Sequence, residues 1–245
     1  MTSQQPPLWR RALAELIGTC LLVAVVVGSG IAAQQLSPND VGLQLLENST
    51  ATVLGLTVLI LVFGPVSGAH FNPVVSAADW FLGRRHGTGL NLTELGTYAV
   101  AQVAGAIGGS VLANVMFDLG TSTSTKDRTT PGHLVAEAVA TAGLILLIFS
   151  LARTNRGLLA APAVGAYIGA AYWFTSSTSF ANPAVTIGRI FTDTFAGIAP
   201  VSVPGFILAQ ITGAALGLGL LLALFPAAGS AADDVVVPHP AKETA

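Results

Sequence analysis

Runs without Lys, Arg, Asp or Glu divide this chain into six apolar stretches, over 16–39, 48–78, 95–117, 138–152, 157–188 and 194–232. Most are close to or longer than the roughly 20 residues with which a helix crosses a bilayer core about 30 Å thick. The pattern predicts membrane-spanning helices at about 11–33, 48–66, 95–117, 133–152, 157–175 and 204–226. Two runs exceed one crossing: 48–78 and 157–188 hold 31 and 32 residues. Each surplus begins with small polar residues and reaches Asn-Pro, as Ser67-Gly68-Ala69-His70-Phe71-Asn72-Pro73 and as Thr178-Ser179-Phe180-Ala181-Asn182-Pro183. A surplus of about ten helical residues rises about 15 Å, half the hydrocarbon thickness. It is read as a loop that dips to mid-membrane and returns as a half-helix. Irregular backbone at that depth persists only inside protein or against a watery cavity, so a cavity is implied.

The chain also repeats itself. Leu13-Ala14-Glu15 with Thr19 matches Val135-Ala136-Glu137 with Thr141, and Asn72-Pro73-Val74-Val75 matches Asn182-Pro183-Ala184-Val185. Ala101-Gln102 with Gly105-Ala106 matches Ala209-Gln210 with Gly213-Ala214. Each copy holds three spans, an odd number, so the second lies inverted and the two Asn-Pro ends meet at the midplane. Inverted repeats with broken helices around a central site are a transport architecture. Residues 1–226 form one domain, with repeat one at about 11–117 and repeat two at about 133–226; 227–245 is a short polar tail. Ala101, Gly105 and Gly109, like Ala209, Gly213 and Gly217, recur every fourth residue. Such rows let helix backbones approach closely in lipid.

Composition agrees and removes other classes. Of 245 residues 10 are Lys or Arg and 12 Asp or Glu, so 9% are charged against roughly 25% in soluble domains. Mean hydropathy is +0.71. A net charge of -2 without a basic block leaves no electrostatic footprint for nucleic acid. The lone Cys20 excludes a disulfide framework or cysteine metal cluster. His70 has no companion ligand at metal spacing, and no Gly-x-Ser-x-Gly elbow accompanies the serines. No enzyme, cofactor or metal centre is expected. Arg10 and Arg11 precede an apolar stretch as in a signal peptide, but Glu15 and the apolar residues to Ala33 read as a retained first span. Arg10, Arg11, Arg84, Arg85, Arg153 and Arg156 fall on one side, and Asp40, Glu47, Lys126 and Arg128 on the other. The positive-inside rule puts both termini in the cytoplasm.

Asn is a favoured N-cap and Pro a favoured first helical residue. Asn72 and Asn182 are therefore expected to cap the half-helices through their side-chain oxygens, leaving their NH2 groups to donate into the cavity. Each helix start carries roughly +0.5 charge. Two such ends at one constriction repel cations and donate to neutral oxygens.

These motifs, with Glu15, Glu137, Gln102 and Gln210, strongly resemble the aquaporin/aquaglyceroporin (major intrinsic protein) family from about Arg11 to Phe225. The resemblance implies an all-α fold of six transmembrane helices and two re-entrant half-helices. It implies a passive channel for small neutral solutes such as glycerol and water, in the cell (inner) membrane, assembled as a homotetramer with one pore per subunit. It also implies that carbonyls of Gly68, Ala69, His70, Thr178, Ser179 and Phe180 line the pore, and that Glu15 and Glu137 accept hydrogen bonds from the re-entrant loops. The sequence departs from the family at Val74, where Ala is usual, and at Val185, where most members have Arg. By offset from the motifs, the selectivity filter is expected at Thr52, Ala170, Ser179 and Val185, wide and weakly polar. Asp79 and Arg189 each follow a motif Asn by seven residues, placing one near each mouth; there Arg189 would partly replace the missing filter cation. The stretch 194–200 resembles a bacterial subgroup that accompanies arsenic-resistance functions, and neutral arsenous acid, a tri-hydroxy compound, is physically similar to glycerol. The competing reading is a proton-coupled secondary transporter with Glu15 and Glu137 as relays, since carboxylates within a membrane are functional by default.

Overall fold

The computed structural model describes residues 6–84 and 87–226. The polar tail expected at 227–245 lies outside the described residues, as do Arg85 and His86. The helices are α1 (Leu8–Leu36), α2 (Val41–Ser67), α3 (Pro73–Gly83), α4 (Leu92–Met116), α5 (Pro131–Arg153), α6 (Ala160–Phe174), α7 (Pro183–Gly188) and α8 (Val203–Leu224). There is no strand among the described residues. Six helices are long and apolar enough to cross a membrane, α6 by way of the 3₁₀ turn at Gly157–Leu159. α3 and α7 are the half-helices, and α7 is short: six residues, continued by a 3₁₀ turn at Arg189–Phe191.

Four spans begin before their charge-free runs, and capping fixes the start of α2 and α4. α2 starts at Val41 rather than near 48 because Asp40 caps it, its carboxylate accepting from the Leu43 amide at 2.9 Å. The polar residues of that extra stretch bond locally, apart from Glu47 Oε2, which has no partner among the described residues. Glu47 accepts from the Ser37 hydroxyl at 2.8 Å, and Gln44 donates to the Ser37 carbonyl at 2.8 Å. α4 starts at Leu92 because Asn91 and Glu94 form a capping box, which satisfies two otherwise orphaned amides.

The two copies are built alike: α1 packs along α4 as α5 packs along α8, and α2 and α6 join one copy to the other. The small-residue rows make the first pairing possible. A Cβ on Gly105 would stand 2.3 Å from the Leu16 carbonyl oxygen, and one on Gly109 2.2 Å from that of Cys20. The inverted copy repeats this at Gly213, 2.3 Å from the Ala138 oxygen, and at Gly217, 2.6 Å from the Ala142 oxygen. Backbones touch where only hydrogen fits.

Both half-helices start as their sequences direct. Asn72 accepts from the Val74 amide at 3.1 Å, and Asn182 from those of Ala184 and Val185 at 3.0 and 3.3 Å. Pro73 and Pro183 are the first helical residues. The side-chain amides are not wholly free, as the sequence reading had them. Asn72 Nδ2 donates to the Ala181 carbonyl at 2.8 Å and Asn182 Nδ2 to the Phe71 carbonyl at 2.7 Å. One N–H of each NH2 ties the copies together, because a carbonyl at that depth has no water to turn to.

The glycine rows can be tested directly. Gly105→Leu or Gly213→Leu forces the crossing helices apart and is expected to cost at least about 1–3 kcal/mol, lowering the melting midpoint in detergent. Gly96→Ala, with no atom within 4 Å of the new Cβ, is expected to stay within about 0.5 kcal/mol of the parent. Equal melting of all three variants would refute the close-packing role.

Candidate pore and its filter

Each re-entrant loop is held by one buried glutamate. Glu15 is fully buried, and its two oxygens accept from the amides of His70 (3.0 Å) and Phe71 (2.7 Å), the Ser67 hydroxyl (2.6 Å) and Gln102 Nε2 (2.7 Å). Glu137, equally buried, accepts from the amides of Phe180 and Ala181 (both 2.8 Å) and from Gln210 Nε2 (2.7 Å). Each glutamine also braces the following half-helix, Gln102 on Ser76 Oγ at 3.1 Å and Gln210 on Thr186 Oγ1 at 2.9 Å. The loops use a backbone shape that L-residues rarely adopt. Ala69 and Phe71 in one, Thr178, Ser179 and Ala181 in the other, have φ between +47° and +63°.

That arrangement orients the carbonyls. In a trans peptide the N–H and C=O point opposite ways. The amides of His70 and Phe71 face Glu15, so the carbonyls of Ala69 and His70 face away from it; those of Ser179 and Phe180 likewise face away from Glu137. All four residues line one elongated cavity of about 70 Å³. It runs from Ala160 and Val164 at the start of α6, past Asn72 and Asn182, to Tyr172 and Arg189. Gly68 and Thr178, expected in this wall, are not among its lining residues. Val74 and Ala184 pack into the apolar core behind the asparagines. His70 does line the cavity, with its Nδ1 3.0 Å from Ser76 Oγ and its ring edge-on to Tyr98.

Of the four expected filter residues, Thr52, Ser179 and Val185 line the cavity. Ala170 does not: it is exposed on the outer surface of α6. A helix turns about 100° per residue, so the lining stripe is Val164, Ile168 and Tyr172, and a residue two beyond Ile168 faces the other way. Counting back from the motif therefore lands two residues short of the lining position, Tyr172. The Tyr172 hydroxyl lies 3.2 Å from Thr52 Oγ1. The cavity wall there is accordingly neither uncharged nor free of aromatics, since Tyr172, Phe180 and Arg189 all line it. The spacing of the α6 stripe carried the signal for Tyr172.

Asp79 and Arg189 are not two interfacial charges at helix ends. Both are buried, with 3% and 2% of their surface exposed. Asp79 turns to its own loop and accepts from the Leu90 amide at 2.7 Å. Arg189 Nε donates to the Ala196 carbonyl, and its guanidinium carbon lies 3.5 Å from the centre of the Phe180 ring. Both hold the loop that follows their half-helix, but only Arg189 reaches the cavity. In the adjoining loop Lys126 is pushed down to about 8, by loss of water around it and then by the charges of Arg128 and Arg189. Asp193, held by the Thr125 amide, stays below the usual carboxylate range.

A doubled Asn-Pro cap around one cavity, on six crossings in inverted halves, defines a membrane pore. The chain belongs to the major intrinsic protein family, whose profile matches residues 2–181. It is 49% identical over 220 residues to the aquaglyceroporin AqpS of Rhizobium meliloti, covering 89% of this chain and 91% of that protein. It is 30% identical to a glycerol uptake facilitator protein of Pseudomonas aeruginosa, covering 87% of this chain and 88% of the relative. Among solved structures it matches the aquaglyceroporin from Plasmodium falciparum with a TM-score of 0.66 at 20% identity, over 92% of this chain and all of that one; this likeness speaks for the fold.

The carboxylate clamps make a testable claim. Glu137→Gln replaces an acceptor with an NH2 that must face another donor, Phe180 N–H, Ala181 N–H or Gln210 Nε2. One lost buried bond and one orphaned donor are expected to cost about 1–3 kcal/mol, read as a lower melting midpoint in detergent. Melting like the parent would mean that the loop is held by something else.

Proposed function

We infer that this protein is a passive channel for small neutral solutes, of the aquaglyceroporin kind, conducting glycerol, water and arsenous acid. The observation that carries this reading is the lined cavity that passes between the two cross-bonded asparagines. Its wall is apolar on one side and edged with backbone carbonyls on the other, which suits molecules that carry hydroxyls but no charge. Half-helix starts and the Arg189 guanidinium oppose cations. The names of the relatives, aquaglyceroporin and glycerol uptake facilitator, support the same substrate class. Proton-coupled transport is disfavoured: every oxygen of Glu15 and Glu137 is engaged by loop amides or glutamine, and neither residue lines the cavity. We further read the protein as a homotetramer in the inner membrane with both termini cytoplasmic, from the family resemblance and the arginine bias of the loops.

In this reading the filter consists of Thr52, Tyr172, Ser179, Phe180 and Val185, with Arg189 supplying the cation from one turn beyond its usual place. Val185→Arg puts a second planar cation into a passage that already holds Arg189. It is expected to lower glycerol and arsenous acid flux far more than water flux in light-scattering assays of reconstituted vesicles. An unchanged ratio of solute to water flux would show that Val185 is not at the narrowest point. Saturable glycerol flux driven uphill by a pH gradient in the parent would overturn the channel reading.

A further inference from the structure

The cavity end at Arg189 gathers three cations, Lys126, Arg128 and Arg189, with Glu137 and Asp193 as the carboxylates within electrostatic reach. Three consecutive carbonyls hold three cations there. Phe195 accepts from Lys126 Nζ at 3.1 Å and from a terminal nitrogen of Arg128 at 2.9 Å; Ala196 accepts from Arg189 Nε; Gly197 accepts from Arg128 Nε at 2.7 Å. Arg128 and Arg189 both lie against the Phe180 ring, at 5.2 and 3.5 Å from its centre. The carboxylates on this side are committed elsewhere: Glu137 to the loop amides, Asp193 to Thr125, and Asp127 to Thr129 and Ser202.

Arg189 differs from its two neighbours. It is 2% exposed and borders the cavity, yet among the described residues no protein acceptor takes its terminal nitrogens. Its Nε and one face are fixed by Ala196 and Phe180, which leaves the forked edge for the cavity. Ser179, 3% exposed and lining the same cavity, has a buried hydroxyl with no partner. A buried hydroxyl without a partner is costly, and a guanidinium fork that opens on the cavity offers its donors to whatever enters. Two parallel N–H donors match the two oxygens of a planar oxyanion.

We propose that the Arg189 fork and the Ser179 hydroxyl form a binding site for a small, planar, monovalent oxyanion of the carboxylate or nitrate type, and that the bound anion obstructs neutral solutes. Binding stands on this geometry alone; obstruction rests on the channel reading above. The test is calorimetric titration of the purified, full-length protein with sodium formate and sodium nitrate, against sodium sulfate at equal ionic strength. The parent is expected to bind formate and nitrate saturably and sulfate not at all. Ser179→Ala should weaken binding several-fold, and Arg189→Gln should abolish it. Gly96→Ala, with no atom within 4 Å of the new Cβ, should bind like the parent. If Arg189→Gln fails to fold, Arg189→Lys, which keeps the charge but loses the fork, is expected to lose most of the affinity. No saturable heat in the parent, or equal binding by the Ser179 and Arg189 variants, overturns the site. In vesicles, external nitrate should reduce glycerol flux through the parent. Binding without that reduction overturns the obstruction, whereas absence of any glycerol flux defeats the channel reading and leaves the site standing.

Discussion

A backbone that leaves its helix in the middle of a bilayer must find a partner for every amide it bares, and here two buried carboxylates supply those partners. Without Glu15 and Glu137 the loops ahead of the half-helices would bare amides where water is scarce, each costing several kcal/mol in hydrocarbon. With them, the amides turn inward toward the helices, and the planar peptide sends the opposing carbonyls toward the cavity. The strained φ values of Ala69, Phe71, Ser179 and Ala181 are the geometric cost of that orientation. The glutamines, the asparagine cross-bonds and the glycine contacts of α1 with α4 and α5 with α8 then hold the clamps in position.

Much of this was legible in the sequence because it depends on counting. Two apolar runs about ten residues too long, each ending in Asn-Pro, announced the half-helices. A repeat of three spans announced the inversion. What failed depended on side-chain direction. Ala170 was placed by offset from a motif, across a loop whose length the motif does not fix, and the helical stripe puts Tyr172 there instead. The second hydrogen-bonding role of the asparagine amides could not be read either, since Phe71 and Ala181 offer backbone carbonyls, which every residue has. Arg189 was noticed at the right spacing, but nothing in the sequence says that its Nε meets Ala196 and its face meets Phe180.

Corresponding residues of the two re-entrant segments differ by 110 in number, and comparing them separates scaffold from selectivity. Positions that hold backbone are the same or similar in both copies: Ser67 and Ser177, Asn72 and Asn182, Ser76 and Thr186. Two positions that border the cavity or its flanking loops have diverged: His70 against Phe180, Asp79 against Arg189. The inverted architecture gives each position two environments, one toward each membrane face.

The placement of Arg189 and Tyr172 at one end of the cavity, beyond the two asparagines, and of apolar Ala160 and Val164 at the other gives the conduit a front and a back. Detailed balance forbids such a pore from favouring one direction of net flow when concentrations are equal. It does not forbid unequal behaviour toward molecules that are refused. A bulky solute arriving at the Arg189 end is turned away before it occupies anything. The same solute arriving at the Ala160 end can fill the apolar half, halt at Tyr172 and delay every molecule behind it. Sidedness of competition, rather than of flow, is therefore the kinetic signature of where this protein keeps its selective residues.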